Sequence, residues 1–171
     1  DLKQFLEIPQ VASRLLQKIY QTMTPDEQSV ILQIAVLQRP VVFKVICELC
    51  ERQDIRQIIS NLVRKTLVIY DERLKNYRLH DVIRDFQRSQ LTDEQRKAYH
   101  LKAAAYYERQ DFNQDLPTFQ QMQDRLDARH HYFQAGDITK AARLLLDIAE
   151  PYRVWGYLQQ CKMFIHETLK K

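Results

Sequence analysis

Glycine is almost missing from this sequence, with only Gly136 and Gly156 in 171 residues. Both are isolated, so neither G-x-x-x-x-G-K-[ST] nor G-x-G-x-x-G is present to cradle a phosphate. Nucleophile elbows and oxyanion turns draw on glycine as well. The reading is therefore of a non-enzymatic segment with no P-loop, no catalytic constellation and no cofactor of its own. Long apolar runs are absent too: none approaches the roughly 18 residues that a membrane span needs. The three cysteines are too few and too unevenly spaced for a disulfide framework, which predicts a reducing, cytoplasmic setting. Asp1-Leu2-Lys3-Gln4-Phe5 is not the basic-then-apolar start of a signal peptide. Without an initiator Met, the chain reads as a piece of something longer.

What remains is an ordinary globular composition, 45% apolar and 28% charged. The length suits one large domain or two small ones. Leu15, Leu16, Ile19 and Tyr20 fall at helical spacing after Pro9, predicting a connecting helix over 1–23. Thr24-Pro25-Asp26-Glu27 is a capping box with proline at the first helical position. The helix it opens buries Val30, Ile31, Ile34 and Leu37 and stops before Pro40. A third helix is predicted over about 41–51, and a fourth from Ile55 to about Leu67, with Asp54 as its cap. The period then changes. Leu67-Val68-Ile69-Tyr70 and Tyr77-Arg78-Leu79-His80 read as two short strands around the polar turn 71–76. Helices followed by a β-hairpin are the order of a winged helix-turn-helix.

From His80 to about Gln90 the pattern is helical again, with Val82, Ile83 and Phe86 on one side. Thr92-Asp93-Glu94-Gln95 is a second capping box and opens a helix to about Gln110. Residues 111–117, with Asp111, Asn113, Asp115 and Pro117, read as a linker. Beyond it come helices over 118–135 and 138–149, with Gly136 in the left-handed position ending one and Asp137 capping the next. A last helix covers about 156–169, with Leu158, Phe164, Ile165 and Leu169 as its buried residues. The stretch from Arg129 to Ala142 is similar to a tetratricopeptide-type turn, in which small alanines let two helices approach. No strict 34-residue repeat aligns twice. The expected fold is mainly α: a winged helix with one β-hairpin, then an α-solenoid-like region. The expected divisions are a connecting helix at 1–23, a winged helix at 24–90 and a helical, tetratricopeptide-like region at 91–171.

Three segments carry a family resemblance. They are Thr24-Pro25-Asp26-Glu27-Gln28 leading into Ile34-Ala35-Val36-Leu37, Leu62-Val63-Arg64-Lys65-Thr66-Leu67-Val68, and Tyr77 through Phe86. Together they resemble the winged-helix domain that follows the nucleotide-binding domain in STAND-class signalling ATPases, NB-ARC proteins among them. The last segment matches the family's Met-His-Asp motif, with Leu79 in place of the methionine. The resemblance implies that His80 contacts the β-phosphate of ADP held by an upstream core, and that Asp81 is its partner. It also implies ADP or ATP in the parent protein, the upstream nucleotide-binding domain as an intramolecular partner, and a protein partner for the helical repeats.

The residues alone leave other readings open. A histidine at a strand-to-helix junction is often half buried and bonded to local backbone. A winged helix is also a DNA-binding shape, and residues 39–88 hold 11 Lys/Arg against 7 Asp/Glu. Arg56, Arg64 and Lys65 on the candidate recognition helix, with Arg73, Lys75 and Arg78 on the wing, are the nucleic-acid contacts such a regulator would use. Asp54, Asp71 and Glu72 lie among them, and a dedicated DNA reader is usually more basic. A free-standing peptide-binding scaffold is the third reading, with its anchors among Tyr99, Tyr106, Tyr107, Tyr132, Phe133, Tyr152, Trp155, Tyr157 and Phe164, which the sequence does not separate. Cys47 and Cys50 have the spacing of half a zinc site but lack a second pair, so they read as small apolar packing residues. His130 and His131 are adjacent, about 100° apart on a helix, and are read as unable to share a metal face.

Overall fold

The computed structural model describes residues 14–113 and 116–169, in two units divided between Thr92 and Asp93. Residues 1–13 of the expected connecting helix and Asp115 of the expected linker lie outside the described residues. The first unit contains α1 (helical over 14–21), α2 (Pro25–Ala35), β1 (Val41–Val42), α3 (Phe43–Cys50), α4 (Ile55–Arg64), β2 (Val68–Asp71), β3 (Asn76–Leu79) and α5 (Asp81–Ser89). The fold is the expected winged helix, with one correction: the wing is a three-stranded antiparallel sheet in the order β1-β3-β2. Val41 and Val42, expected inside the third helix, pair with Tyr77 and Asn76 instead. A β-branched pair favours the pleated surface, and Pro40 before it cannot donate to a preceding helical turn. In the hairpin, Val68 faces Leu79 and Asp71 faces Asn76.

The core of this unit is the set of apolar residues that α2, α3, α4 and β2 turn inward. Val30, Ile31, Ile46 and Leu62 have no exposed surface. The capping box at Thr24 forms as expected: its hydroxyl accepts from the Glu27 amide at 3.2 Å, and its own amide donates to Glu27 Oε2 at 3.0 Å. That same oxygen lies 2.6 Å from Lys65 Nζ, at the far end of α4, and Glu27 is only 3% exposed. Burial alone would raise its pKa. The hydrogen bonds from Lys65 and the Thr24 amide outweigh it and hold the carboxyl below its usual value.

At the other end, α2 has no basic residue in its last turn, and Arg88 of α5 fills that role. Its Nε donates to the Ala35 carbonyl at 2.6 Å and its Nη2 to the Leu37 carbonyl at 3.3 Å. A cation thus meets the negative helix end. Asp54 stands at the N-cap of α4 as expected, but its side chain makes no capping hydrogen bond. Its carboxylate pairs with Arg52 at 2.9 Å. On α5, Val82 is exposed rather than buried, and Gln87 is the residue that turns inward.

The second unit is α6 (Asp93–Glu108), α7 (Phe119–Gln134), α8 (Ile138–Val154) and α9 (Leu158–Leu169), each packed on the next. Gly136 takes φ 82°, and Asp137 accepts from the Lys140 amide at 3.0 Å, as the sequence predicts. Gly156, at φ 80°, repeats the device between α8 and α9. At both turns the amide after the glycine bonds back to a tyrosine carbonyl, Asp137 to Tyr132 and Tyr157 to Tyr152. Helix α8 continues past its expected end at 149 and holds Pro151. On α9, Leu158 and Ile165 are exposed, while Cys161 and Thr168 are buried. The side chain of Leu169 lies outside the described residues. Met122, Leu145, Ile148, Tyr152 and Cys161 form the core here. Arg129, 3% exposed, ties α7 to α9 through Thr168 Oγ1 at 2.7 Å and Glu167 at 2.8 Å.

Replacing Lys65 with Met leaves a buried carboxylate without its cation and is expected to cost about 1.5–3 kcal/mol at neutral pH. The folded Glu27 pKa lies below its ordinary 4.5, so its contribution is complete above that value and disappears as pH falls through the folded one. In denaturant titrations the gap between wild type and Lys65→Met should therefore be widest at neutral pH and narrow in acid. A gap independent of pH would mean that Lys65 acts through packing alone.

Candidate switch site around His80

His80 is the residue where β3 ends and α5 begins. Its backbone is extended, at φ −64° and ψ 142°, and its ring makes no capping hydrogen bond to the helix. The ring is exposed, so the alternative of a half-buried histidine bonded to local backbone does not describe it. Asp81 follows in the first turn of α5, where a negative charge meets the positive helix end. Its carboxylate lies 2.9 Å from Arg84 Nη2, a surface ion pair with Asp81 72% exposed. The histidine and the aspartate thus stand side by side at the surface.

Next to them is an open groove of about 200 Å³, floored by Leu37 and Val41 and bordered by Arg39, Arg78, Asp81 and Arg84. The residues on either side of His80, Leu79 and Asp81, both line it. Arg84 Nε is buried there without a hydrogen-bond acceptor, 3.8 Å from the Asp85 carboxylate. A groove bordered by arginines next to the His80 position suits an anionic or carbonyl-rich surface. Sequence reasoning did not single out Arg39 or Arg84, because α2, β3 and α5 bring this groove together only on folding.

The basic residues considered for nucleic acid are distributed differently. Lys65 pairs with the Glu27 carboxylate at 2.6 Å. Arg56 stacks over the Phe43 ring, 4.9 Å from its centroid, and Arg64 donates to Asn61 at 3.0 Å. Arg73 and Lys75 lie exposed on the wing turn, where Asp71 Oδ1 accepts from the Arg73 and Leu74 amides. Cys50 is buried and Cys47 half-buried, both as thiols rather than disulfide halves.

One expectation is overturned in the second unit. His130 and His131 do converge, because His100 of α6 meets both rings from the facing helix. Ligand atoms of all three lie within 4.8 Å of one another. The separation of adjacent helix positions, about 100°, applies to the Cβ directions, but an imidazole reaches far enough for a partner between them to touch both.

A helix-turn-helix closed by a three-stranded wing, followed by antiparallel helices with glycine turns, defines a winged-helix module joined to a helical-repeat unit. Residues 16–99, just under half of the chain, match the family described as the MalT winged helix domain. A solved structure from Pyrococcus horikoshii, a Signal Transduction ATPase with Numerous Domains (STAND) protein with a tetratricopeptide repeat sensor, shares the fold. Its TM-score is 0.70 at 19% identity, over 91% of this chain and 23% of that one. This chain thus spans under a quarter of that protein's length. No curated protein sequence matches significantly. Among the described residues, no helix is long and apolar enough to cross a membrane.

Because both side chains are exposed, His80→Ala and Asp81→Asn should each shift folding stability by no more than about 0.5 kcal/mol. Chemical denaturation of the two variants checks this, and a larger loss would make the pair structural.

Proposed function

We propose that this chain is the regulatory, non-catalytic part of a nucleotide-switched signalling ATPase. In that reading the winged helix docks on an upstream ADP-bound core, with His80 donating to the ADP phosphate and Asp81 holding the start of α5 in place. The observation that carries it is the surface-exposed His80-Asp81 step beside a groove bordered by three arginines, in a segment that matches the MalT winged-helix family. An exposed imidazole with no local hydrogen bond to the helix it precedes is free to reach a phosphate oxygen on another surface. The helical unit serves as the sensor for a protein partner in the cytoplasm, and ATP in place of ADP releases the docked state.

The aromatic hollow of the second unit supports the partner role. Phe119, Met122, Tyr152, Trp155 and Tyr157 line a cavity of about 240 Å³. Trp and Tyr are frequent anchors at interfaces. The DNA-binding alternative has less support, since Lys65 is neutralised by Glu27 and Arg56 is stacked on Phe43.

The test is the nucleotide content of the purified full-length parent, wild type against His80→Ala. Wild type is expected to retain ADP, and the variant to lose it or assemble without a signal. Unchanged nucleotide and assembly in the variant would overturn the assignment. A DNA titration at two salt concentrations addresses the alternative, which requires affinity to fall steeply with salt.

A further inference from the structure

Three histidines in the helical unit have no part in the switch described above. His100 on α6 and His131 on α7 are 7% and 1% exposed, and their Nδ1 atoms are 2.8 Å apart. His130, half-buried, turns its ring to the same place: the three ring centroids are 5.1, 5.3 and 6.1 Å apart. The Tyr107 ring stacks parallel to His131 at 5.8 Å and fixes that imidazole's plane. We infer that His100, His130 and His131 form a binding site for one divalent late first-row transition-metal ion, which clamps α6 to α7.

The chemistry favours this class. Neutral imidazole is a ligand of intermediate softness, suited to copper, nickel and zinc rather than to magnesium or calcium. The 2.8 Å between the His100 and His131 Nδ1 atoms is a hydrogen-bond length, and a metal ion binding both nitrogens takes the place of that bond. For nitrogen ligands Cu²⁺ and Ni²⁺ stand high in the affinity order. In the metal-free pair one Nδ1 carries the shared proton. On binding, that proton moves to Nε2 of its own ring and both Nδ1 lone pairs reach the ion, with no net proton release. His130, the most accessible of the three, provides the third nitrogen and the entry side, leaving further positions to water. Two buried rings already in register lower the ordering cost of binding.

The whole chain, freed of metal by a chelator, is titrated separately with Cu²⁺ and Ni²⁺ in a non-coordinating buffer. One equivalent is expected to bind in the micromolar range or tighter, with a Cu²⁺ electron paramagnetic resonance spectrum showing coordination by imidazole nitrogens. His130→Gln spares the buried pair, so it should fold with the wild-type circular dichroism spectrum. It should weaken affinity by roughly tenfold or more, at least what loss of a supporting outer-shell group costs. His131→Asn should abolish the nitrogen signature. Cys47→Ser with Cys50→Ser, and separately His80→Ala, should leave binding unchanged. Absence of one-to-one binding would overturn the site, as would wild-type affinity in His130→Gln or loss of binding in the cysteine variant.

Discussion

The carboxylate of Glu27 is where the winged helix is tied together. It closes the cap of α2, accepts the ammonium of Lys65 at the end of α4, and is almost fully buried. A buried carboxylate is tolerable only when its oxygens are bonded, so the ion pair and the capping box depend on each other. Lys65 is followed by Thr66, Leu67 and then β2, so the pair stands where the last helix of the helix-turn-helix stops and the hairpin begins. At the opposite end of α2, Arg88 covers the carbonyls of Ala35 and Leu37 from α5. Helix α2 is therefore held at both ends by cations from elements on either side of the wing. His80 lies between those elements, after β3 and before α5, and inherits its position from them.

What could be read from the sequence follows the range of the interactions involved. The box at Thr24, the left-handed Gly136 and the Asp137 cap are local backbone chemistry, complete within a few residues, and were legible. So was the hairpin, because its alternation declares it. The strand at Val41–Val42 was not, since two residues have no period and only pairing with β3 makes them a strand. Nor were the ties of Lys65, Arg88 and Arg129, whose partners lie 38, 51–53 and 35–39 residues away. Asp54 is an exception to that rule of range: it stands at the N-cap, but its carboxylate takes Arg52, two residues away, in place of a helix amide, a charged pair prevailing in an exposed loop.

The candidate site divides the same way. The position of His80-Asp81 was legible through the motif it resembles, but its exposure and its arginine-bordered groove depend on which elements fold around it. The second histidine group shows the converse. His130 and His131 were visible as a doublet, yet their meaning rests on His100, 31 residues from His131 and one helix away. One residue type thus serves opposite ends: exposed and open to a partner at 80, buried and bonded at 131.

Glycine scarcity has a structural counterpart in where backbone strain is held. The two glycines take the turns of the helical unit, where nothing lies within 4 Å of an added Cβ and only the positive φ requires them. In the winged helix, three turns use left-handed residues that are not glycine: Glu51, Thr66 and Lys75. Each such residue costs on the order of 1–3 kcal/mol and persists only where surrounding structure over-determines it. Thr66 is the least comfortable of the three, being β-branched. It is held between the Lys65–Glu27 pair and β2, and Lys75 stands between the Asp71 turn and β3. A turn fixed by its flanks rather than by its own flexibility leaves the wing and the helix ends little freedom to drift. That suits the proposed docking of His80, since the ordering is then done in folding rather than at the encounter.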